Sequence, residues 1–125
     1  MKNHISIIGA GNLTNSILEG IKKSNKYFKI QVIDINKKKR NITKKYNIIF
    51  KSSYTEDISN SEIIMISSKP KDYTKVIHSI NPYISDKSII ISFMAGISNK
   101  QIKDMLTCES NVVRCMTNLT ISQQK

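Results

Sequence analysis

The apolar residues of this 125-residue chain fall in short unbroken runs separated by polar stretches, and those runs carry the first structural signal. Residues 4–8 (HISII) lead straight into Gly9, and β-branched residues ahead of a glycine turn predict a buried strand. Beyond the turn, Leu13, Ile17, Leu18 and Ile21 fall at spacings of four, one and three, which places them on one face of a helix. A second strand is predicted over residues 29–35 (KIQVIDI), followed by a short exposed helix in NKKKRNITKKY, where Ile42 and Tyr46 stand four apart. A weaker third strand falls at Ile48 to Phe50, and a fourth over residues 62–67 (EIIMIS). Lys69-Pro70 follows at once, and because proline is tolerated in a first helical turn, Tyr73, Val76, Ile77 and Ile80 predict a helix over 70–80 that stops at Asn81-Pro82. Residues 88–93 (SIIISF) predict a fifth strand, Ala95-Gly96 a turn, Ser98 the N-cap of a helix through Leu106, and residues 112–115 a last short strand.

Strands that alternate with helices, and that read as continuous apolar runs buried on both faces, predict an α/β fold of the Rossmann type. Its sheet is doubly wound and mainly parallel, with helices on both faces. Nothing along the chain reads as a linker, an internal repeat or a low-complexity insert, so residues 1–125 read as one domain.

Charge complicates this picture only slightly. The formal net charge of +11 raises the question of a polyanionic partner, since a basic surface releases counterions from phosphates whatever its fold. Yet Arg40 and Arg114 are the two arginines among 20 basic residues, and specific phosphate or base recognition favours the planar guanidinium. Lys, Ile and Asn share AT-rich codons, so a nucleotide bias accounts for the lysines and no specific nucleic-acid partner is expected. Cys108 and Cys115, seven apart, fit neither a zinc site nor a disulfide framework; His4 and His78 stand apart from other ligand types, and no metal is expected. No run approaches the roughly 20 apolar residues of a membrane helix, and no signal-peptide core precedes the first strand, so a cytoplasmic setting is the expectation.

The residues that carry chemistry begin with Gly9-Ala10-Gly11-Asn12-Leu13, where the first strand turns into the first helix. There the helix offers free N–H groups and the positive end of its dipole, a place for a pyrophosphate. The first glycine permits the tight turn and the second lets backbone approach the phosphates, while Thr14 stands where the usual fingerprint has a third glycine. Asp34, at the end of the second strand, is placed to accept hydrogen bonds from an adenosine ribose, which favours NAD. Lys37, Lys38, Lys39 and Arg40 follow it and are able to neutralise a 2′-phosphate, which favours NADP. The cofactor expected is NADP or NAD, with NADP slightly preferred. Lys69, between a buried strand and a proline, is a further candidate site residue.

Four segments in order then resemble pyrroline-5-carboxylate reductases: I-I-G-A-G-N-L at the opening, S-S-K-P at 67–70, S-F-M-A-G-I-S at 92–98 and V-V-R-C-M-T-N at 112–118. The resemblance implies that Gly9, Ala10, Gly11, Asn12 and Leu13 cradle the pyrophosphate. It also implies that Ser67, Ser68, Lys69 and Pro70 border the nicotinamide half, and that Ala95 and Gly96 lie at strand ends near the same crevice. This chain departs from the family where Thr117, Leu119 and Thr120 interrupt R-x-M-P-N-x-P, and where Tyr54 stands in place of an asparagine. The family's C-terminal helical domain, which builds the dimer and closes the substrate pocket, is expected to be absent, so the oligomeric state is left open and no residue is assigned a catalytic role. What the resemblance implies is the cofactor-binding part of an NAD(P)H-dependent reductase of 1-pyrroline-5-carboxylate. Two other functions stay open: a catalytically inactive dinucleotide-binding module, and a Lys-rich protein whose association with nucleic acid would collapse with salt.

Overall fold

A computed structural model describes residues 4–24 and 26–116. Six strands form one sheet: β1 (His4–Ile8), β2 (Lys29–Ile33), β3 (Ile49–Lys51), β4 (Ile63–Ile66), β5 (Ile89–Ser92) and β6 (Asn111–Arg114). All neighbouring pairs are parallel, in the spatial order β3-β2-β1-β4-β5-β6. Among the described residues the α-helices are α1 (Asn12–Lys23), α2 (Ile42–Lys45), α3 (Tyr73–Ile80) and α4 (Asn99–Met105). This is the doubly wound Rossmann architecture that the alternating runs predict.

The unbroken isoleucine runs are explained by burial on two faces. Ile8, Ile33, Ile64, Ile66 and Ile90 point to one side, where Val76, Ile77 and Ile80 of α3 and Ile102 of α4 cover them. Ile5, Ile7, Ile30, Val32 and Phe50 point to the other, against Leu18 of α1 and Tyr46. The register is consistent with this split, Ile7 lying beside Val32 and Met65 while Ile8 lies beside Ile33 and Ile66. Each fully buried aliphatic side chain contributes about 1.5–3 kcal/mol, so the two cores supply the main favourable term. On the α1 side the sheet is open beyond β4, with Ile89 39% and Val113 46% exposed.

Local differences from the sequence pattern have physical causes. β2 stops at Ile33, not Ile35, because the Asp34 carboxylate accepts the Asn36 N–H at 2.9 Å and turns the chain; Ile35 is left 71% exposed. The exposed helix predicted next is mostly a 3₁₀ helix, Lys37–Asn41, which the Asn36 side chain caps by accepting from the Lys38 N–H; only Ile42–Lys45 is α-helical. Pro70 similarly opens a 3₁₀ turn, Pro70–Asp72, before α3 begins at Tyr73. Further 3₁₀ turns at Glu56–Asn60 and Asn81–Tyr83 have no counterpart in the apolar periodicity. Ser98 caps α4 as the sequence indicates, in a reciprocal capping box with Gln101. Cys108 and Cys115 are free thiols, and no helix among the described residues is long and apolar enough to cross a membrane.

Tyr46 joins the end of α2 to α1. Its hydroxyl donates to the Glu19 carboxylate at 2.6 Å and approaches the Asn15 carbonyl at 3.3 Å. Burial, then the bond to Glu19, pushes the phenol up to about 12, and the same bond holds the Glu19 carboxyl below its ordinary range. The folded state therefore keeps a proton that the unfolded chain releases above its ordinary value of 10.0, and stability is lost as the pH rises from there through about 12. Urea midpoints measured across this window should fall more steeply for the wild type than for Tyr46→Phe. Parallel slopes would show that the buried phenol is not linked to folding.

Candidate functional site

Parallel pairing brings the carboxyl ends of β2, β1 and β4 side by side, and the residues leaving those ends make the site. The ladder continues into them: the Gly9 N–H donates to the Ile33 carbonyl at 2.8 Å, and the Ser67 N–H to the Ile8 carbonyl at 2.9 Å. The Asp34 N–H donates to the Lys51 carbonyl of β3 at 3.0 Å. The chain winds to opposite sides from β1 and β4, so the gap above them is the topological switch point where open α/β sheets bind ligands. A crevice of about 780 Å³ occupies that position. Its walls include Gly9, Ala10, Gly11, Asp34, Ser67, Ser68 and Lys69, seven of the twelve residues singled out from the sequence. A smaller cavity, about 140 Å³ around His4 and Gln31, lies at the opposite ends of the strands.

The two glycines of the turn play different parts. Gly9 has φ +104°, in the region that favours glycine, and a Cβ there would sit 3.2 Å from both the Ser67 Oγ and the Ser68 N. Gly11 has an ordinary φ of −94°, and a Cβ there would meet no atom within 4 Å. The fold thus requires Gly9, while Gly11 leaves room beside the N-terminus of α1. No side chain caps that N-terminus and no acidic residue lies in its first turn, so its N–H groups keep capacity for an anion beside the Gly9–Gly11 wall of the crevice.

Thr14 fills the place of the third glycine. It is fully buried, and its hydroxyl donates to the Gly9 carbonyl at 2.5 Å and pairs with the Ser67 Oγ at 2.5 Å. Ser67 Oγ also lies 3.1 Å from the Ile8 carbonyl and Ser68 Oγ 3.3 Å from it, so hydroxyls from α1 and β4 staple the turn from behind. In front, the Asp34 carboxylate accepts the Ala10 N–H at 2.9 Å, tying the turn to β2 as well. The hydroxyl cluster escaped the sequence reading; its one visible sign was the hydroxyl-bearing residue at the third glycine position.

Other candidates are placed differently. Asn12 and Leu13 open α1 and Pro70 opens the 3₁₀ turn before α3, and none of the three is among the residues lining the crevice. Ala95 and Gly96 form the exposed turn after β5, Gly96 with φ +78°, and neither is among the residues lining the crevice. Of the basic run, Lys39 lines the crevice, whereas the Arg40 guanidinium lies over the Phe50 ring, 5.1 Å from its centre. The crevice adds Tyr54, Lys71, Asp72 and Lys75 to its walls. The Tyr54 hydroxyl is pushed up by burial and by the negative charges of Asp34 and Asp72. Thr117 and Asn118 of the last resemblance segment, and Thr120, lie outside the described residues.

A family model described as "NADP oxidoreductase coenzyme F420-dependent" matches residues 4–96, which span β1 to the turn after β5. The chain belongs to this family. Within the NADP oxidoreductase family it resembles the N-terminal part of pyrroline-5-carboxylate reductases. It is 30% identical over 118 residues to the enzyme of Aquifex aeolicus, covering 94% of this chain and 43% of the relative. To that of Staphylococcus haemolyticus it is 31% identical over 114 residues, covering 88% and 42%. The chain thus spans less than half the length of these curated relatives. The fold matches the pyrroline-5-carboxylate reductase of Coxiella burnetii with a TM-score of 0.81 at 23% identity, over 94% of this chain and 44% of that one. The Plasmodium falciparum pyrroline carboxylate reductase, solved with NADP bound, superposes with a TM-score of 0.75 at 22% identity, over 94% and 44%.

The contrast between the glycines gives a stability prediction. Gly9→Ala should lower stability by about 1–2 kcal/mol or more, from the left-handed backbone and the contact with Ser67 and Ser68. Gly11→Asp should leave stability unchanged or raise it by roughly 0.5 kcal/mol, because Asp is a better N-cap than Gly and complements the helix dipole. Urea titrations of both variants check this, and a Gly11→Asp protein as unstable as Gly9→Ala would remove the distinction.

Proposed function

We propose that the crevice binds a nicotinamide dinucleotide, and that this domain is the cofactor half of a reductase converting 1-pyrroline-5-carboxylate to proline. The observation that carries the reading is the open position at Gly11 beside an uncapped helix N-terminus, at the switch point of a parallel sheet. A pyrophosphate on the Gly9–Gly11 turn would receive N–H groups from the start of α1, with Asn12 and Leu13 continuing that helix. Asp34 would take the adenosine end, while Ser67, Ser68, Lys69 and Pro70, leaving β4, would border the nicotinamide. Ala95 and Gly96, beyond β5, would approach the same ring from the next strand.

Bound there, the reduced nicotinamide supplies a hydride. The residues of this domain bind and orient it, while the imine must also be held, given a proton and shielded from water. The basic run had tilted the sequence reading towards NADP, and Lys39 is the member of that run that supports it from the crevice wall. A second reading is a dinucleotide-binding module without chemistry, which the same crevice would serve equally.

Titration of the purified chain with NADPH and NADH, followed by nicotinamide fluorescence, should saturate. Gly11→Asp should abolish binding while the protein stays folded, because its carboxylate would stand where the pyrophosphate does. Absence of binding by the wild type would reduce the reductase likeness to ancestry. With binding in hand, oxidation of the cofactor by 1-pyrroline-5-carboxylate separates the reductase from the module: turnover supports the first, and none the second.

A further inference from the structure

We infer that Thr14 is a positioning residue for the dinucleotide: its buried hydroxyl, which a third glycine would not provide, fixes the Gly9–Ala10 peptide at the entry to α1. This role rests on the dinucleotide reading above and belongs to a residue that shapes the site without lining the crevice.

The missing Cβ of Gly9 permits the left-handed turn, but the same freedom lets the peptide that follows it rotate. Here that peptide is gripped at both ends. The Ala10 N–H donates to Asp34 Oδ2 at 2.9 Å, and the Gly9 carbonyl accepts the Thr14 hydroxyl at 2.5 Å. A flip would turn the carbonyl toward the Asp34 carboxylate and the crevice, where an anion needs donors, and would break both bonds.

Thr14 has a single hydroxyl proton, and its contact with the Gly9 carbonyl is shorter than the 3.2 Å from Ser67 Oγ to the same atom. The proton therefore goes to Gly9, and in the 2.5 Å pair of hydroxyls Ser67 is the donor. Donors then run one way, from Ser67 through Thr14 to the Gly9 carbonyl, and onward from the Ala10 N–H to Asp34. Each bond in such a chain polarises the next.

Thr14 is the link that nothing else replaces. It is fully buried and stands in the first turn of α1, so its bond ties the glycine turn to the same helix whose uncapped N–H groups would take the pyrophosphate. Gly11, between the two, has no side chain to hold the path, and a Cβ there would meet nothing within 4 Å. With glycine at position 14, the Gly9 carbonyl would be left to Ser67 Oγ at 3.2 Å, a hydroxyl that also has the Ile8 carbonyl at 3.1 Å.

The experiment is a titration with NADPH, NADH and ADP, the last carrying the pyrophosphate without the nicotinamide, of the wild type, Thr14→Ser, Thr14→Val and Thr14→Gly. A urea midpoint for each shows that it is folded. Thr14→Ser keeps the hydroxyl and is expected to bind within about threefold of the wild type. Thr14→Val, which keeps the filled space, and Thr14→Gly, which restores the fingerprint residue, are expected to lose about tenfold or more for dinucleotide and ADP alike. Rescue by Thr14→Ser but not by Thr14→Val separates the hydroxyl from packing, and the Thr14→Ser and Thr14→Gly pair decides should Thr14→Val fail to fold. Thr14→Val or Thr14→Gly binding as tightly as the wild type, or Thr14→Ser losing as much as either, overturns the role of Thr14 and leaves the dinucleotide site intact. A wild type that binds none of the three ligands overturns the dinucleotide reading and this role with it.

Discussion

The left-handed turn at Gly9 holds the rest of the site in place. Its backbone leaves β1 with φ +104°, and three segments close on it: Thr14 from α1, Ser67 and Ser68 from just after β4, and Asp34 from just after β2. Where a strand ends, backbone groups beyond the ladder need other partners; the Ile8 carbonyl still takes the Ser67 N–H, while the Gly9 carbonyl turns to side chains. Here hydroxyl side chains serve those carbonyls directly, and the Asp34 carboxylate takes the Ala10 N–H from the other side. Loss of a partner in so enclosed a place costs more than the bond itself contributes, because the orphaned group is left desolvated. The turn is therefore fixed in position before any ligand arrives, which is the condition under which a helix N-terminus serves as an anion site.

Much of this was legible in the residues, and the reason is burial on both faces. A strand covered on two sides has no polar alternation to blur it, so HISII, EIIMIS and SIIISF stand out as runs, and their spacing by helical segments implies parallel pairing. The short stretches were less legible. Pattern reading needs several turns of apolar spacing, which the 3₁₀ pieces after β2 and before α3 do not provide. Asp34 was placed at the end of the second strand as a ligand group, but its bond to the Asn36 N–H, which turns the chain there, leaves no mark in hydropathy.

The candidate site was legible in the same uneven way. Residues that follow a buried strand at once, such as Gly9, Asp34 and Ser67, are brought together by topology alone, so sequence order suffices to place them. The basic run was not placeable, because a one-residue rotation on a short helix decides whether a cation meets the crevice, as Lys39 does, or a ring on the other side, as Arg40 does. Net charge is a poor guide here for the same reason. Most lysines among the described residues sit on solvated surface, whereas the charge next to the glycine turn is the half-buried Asp34 carboxylate, where screening is weaker.

The same separation applies to cofactor binding and catalysis. In a doubly wound parallel sheet every strand delivers its carboxyl end to one edge, so the groups that line the crevice are supplied by strand order and by the segments that leave β1, β2 and β4. None of that requires what lies beyond β6, and the family match itself ends at Gly96. Catalysis on an imine asks for more: a second wall, a proton source and exclusion of water. The stretch that builds the crevice is thus part of what this chain shares with relatives more than twice its length, and the proposed cofactor binding can be tested on it apart from the proposed chemistry.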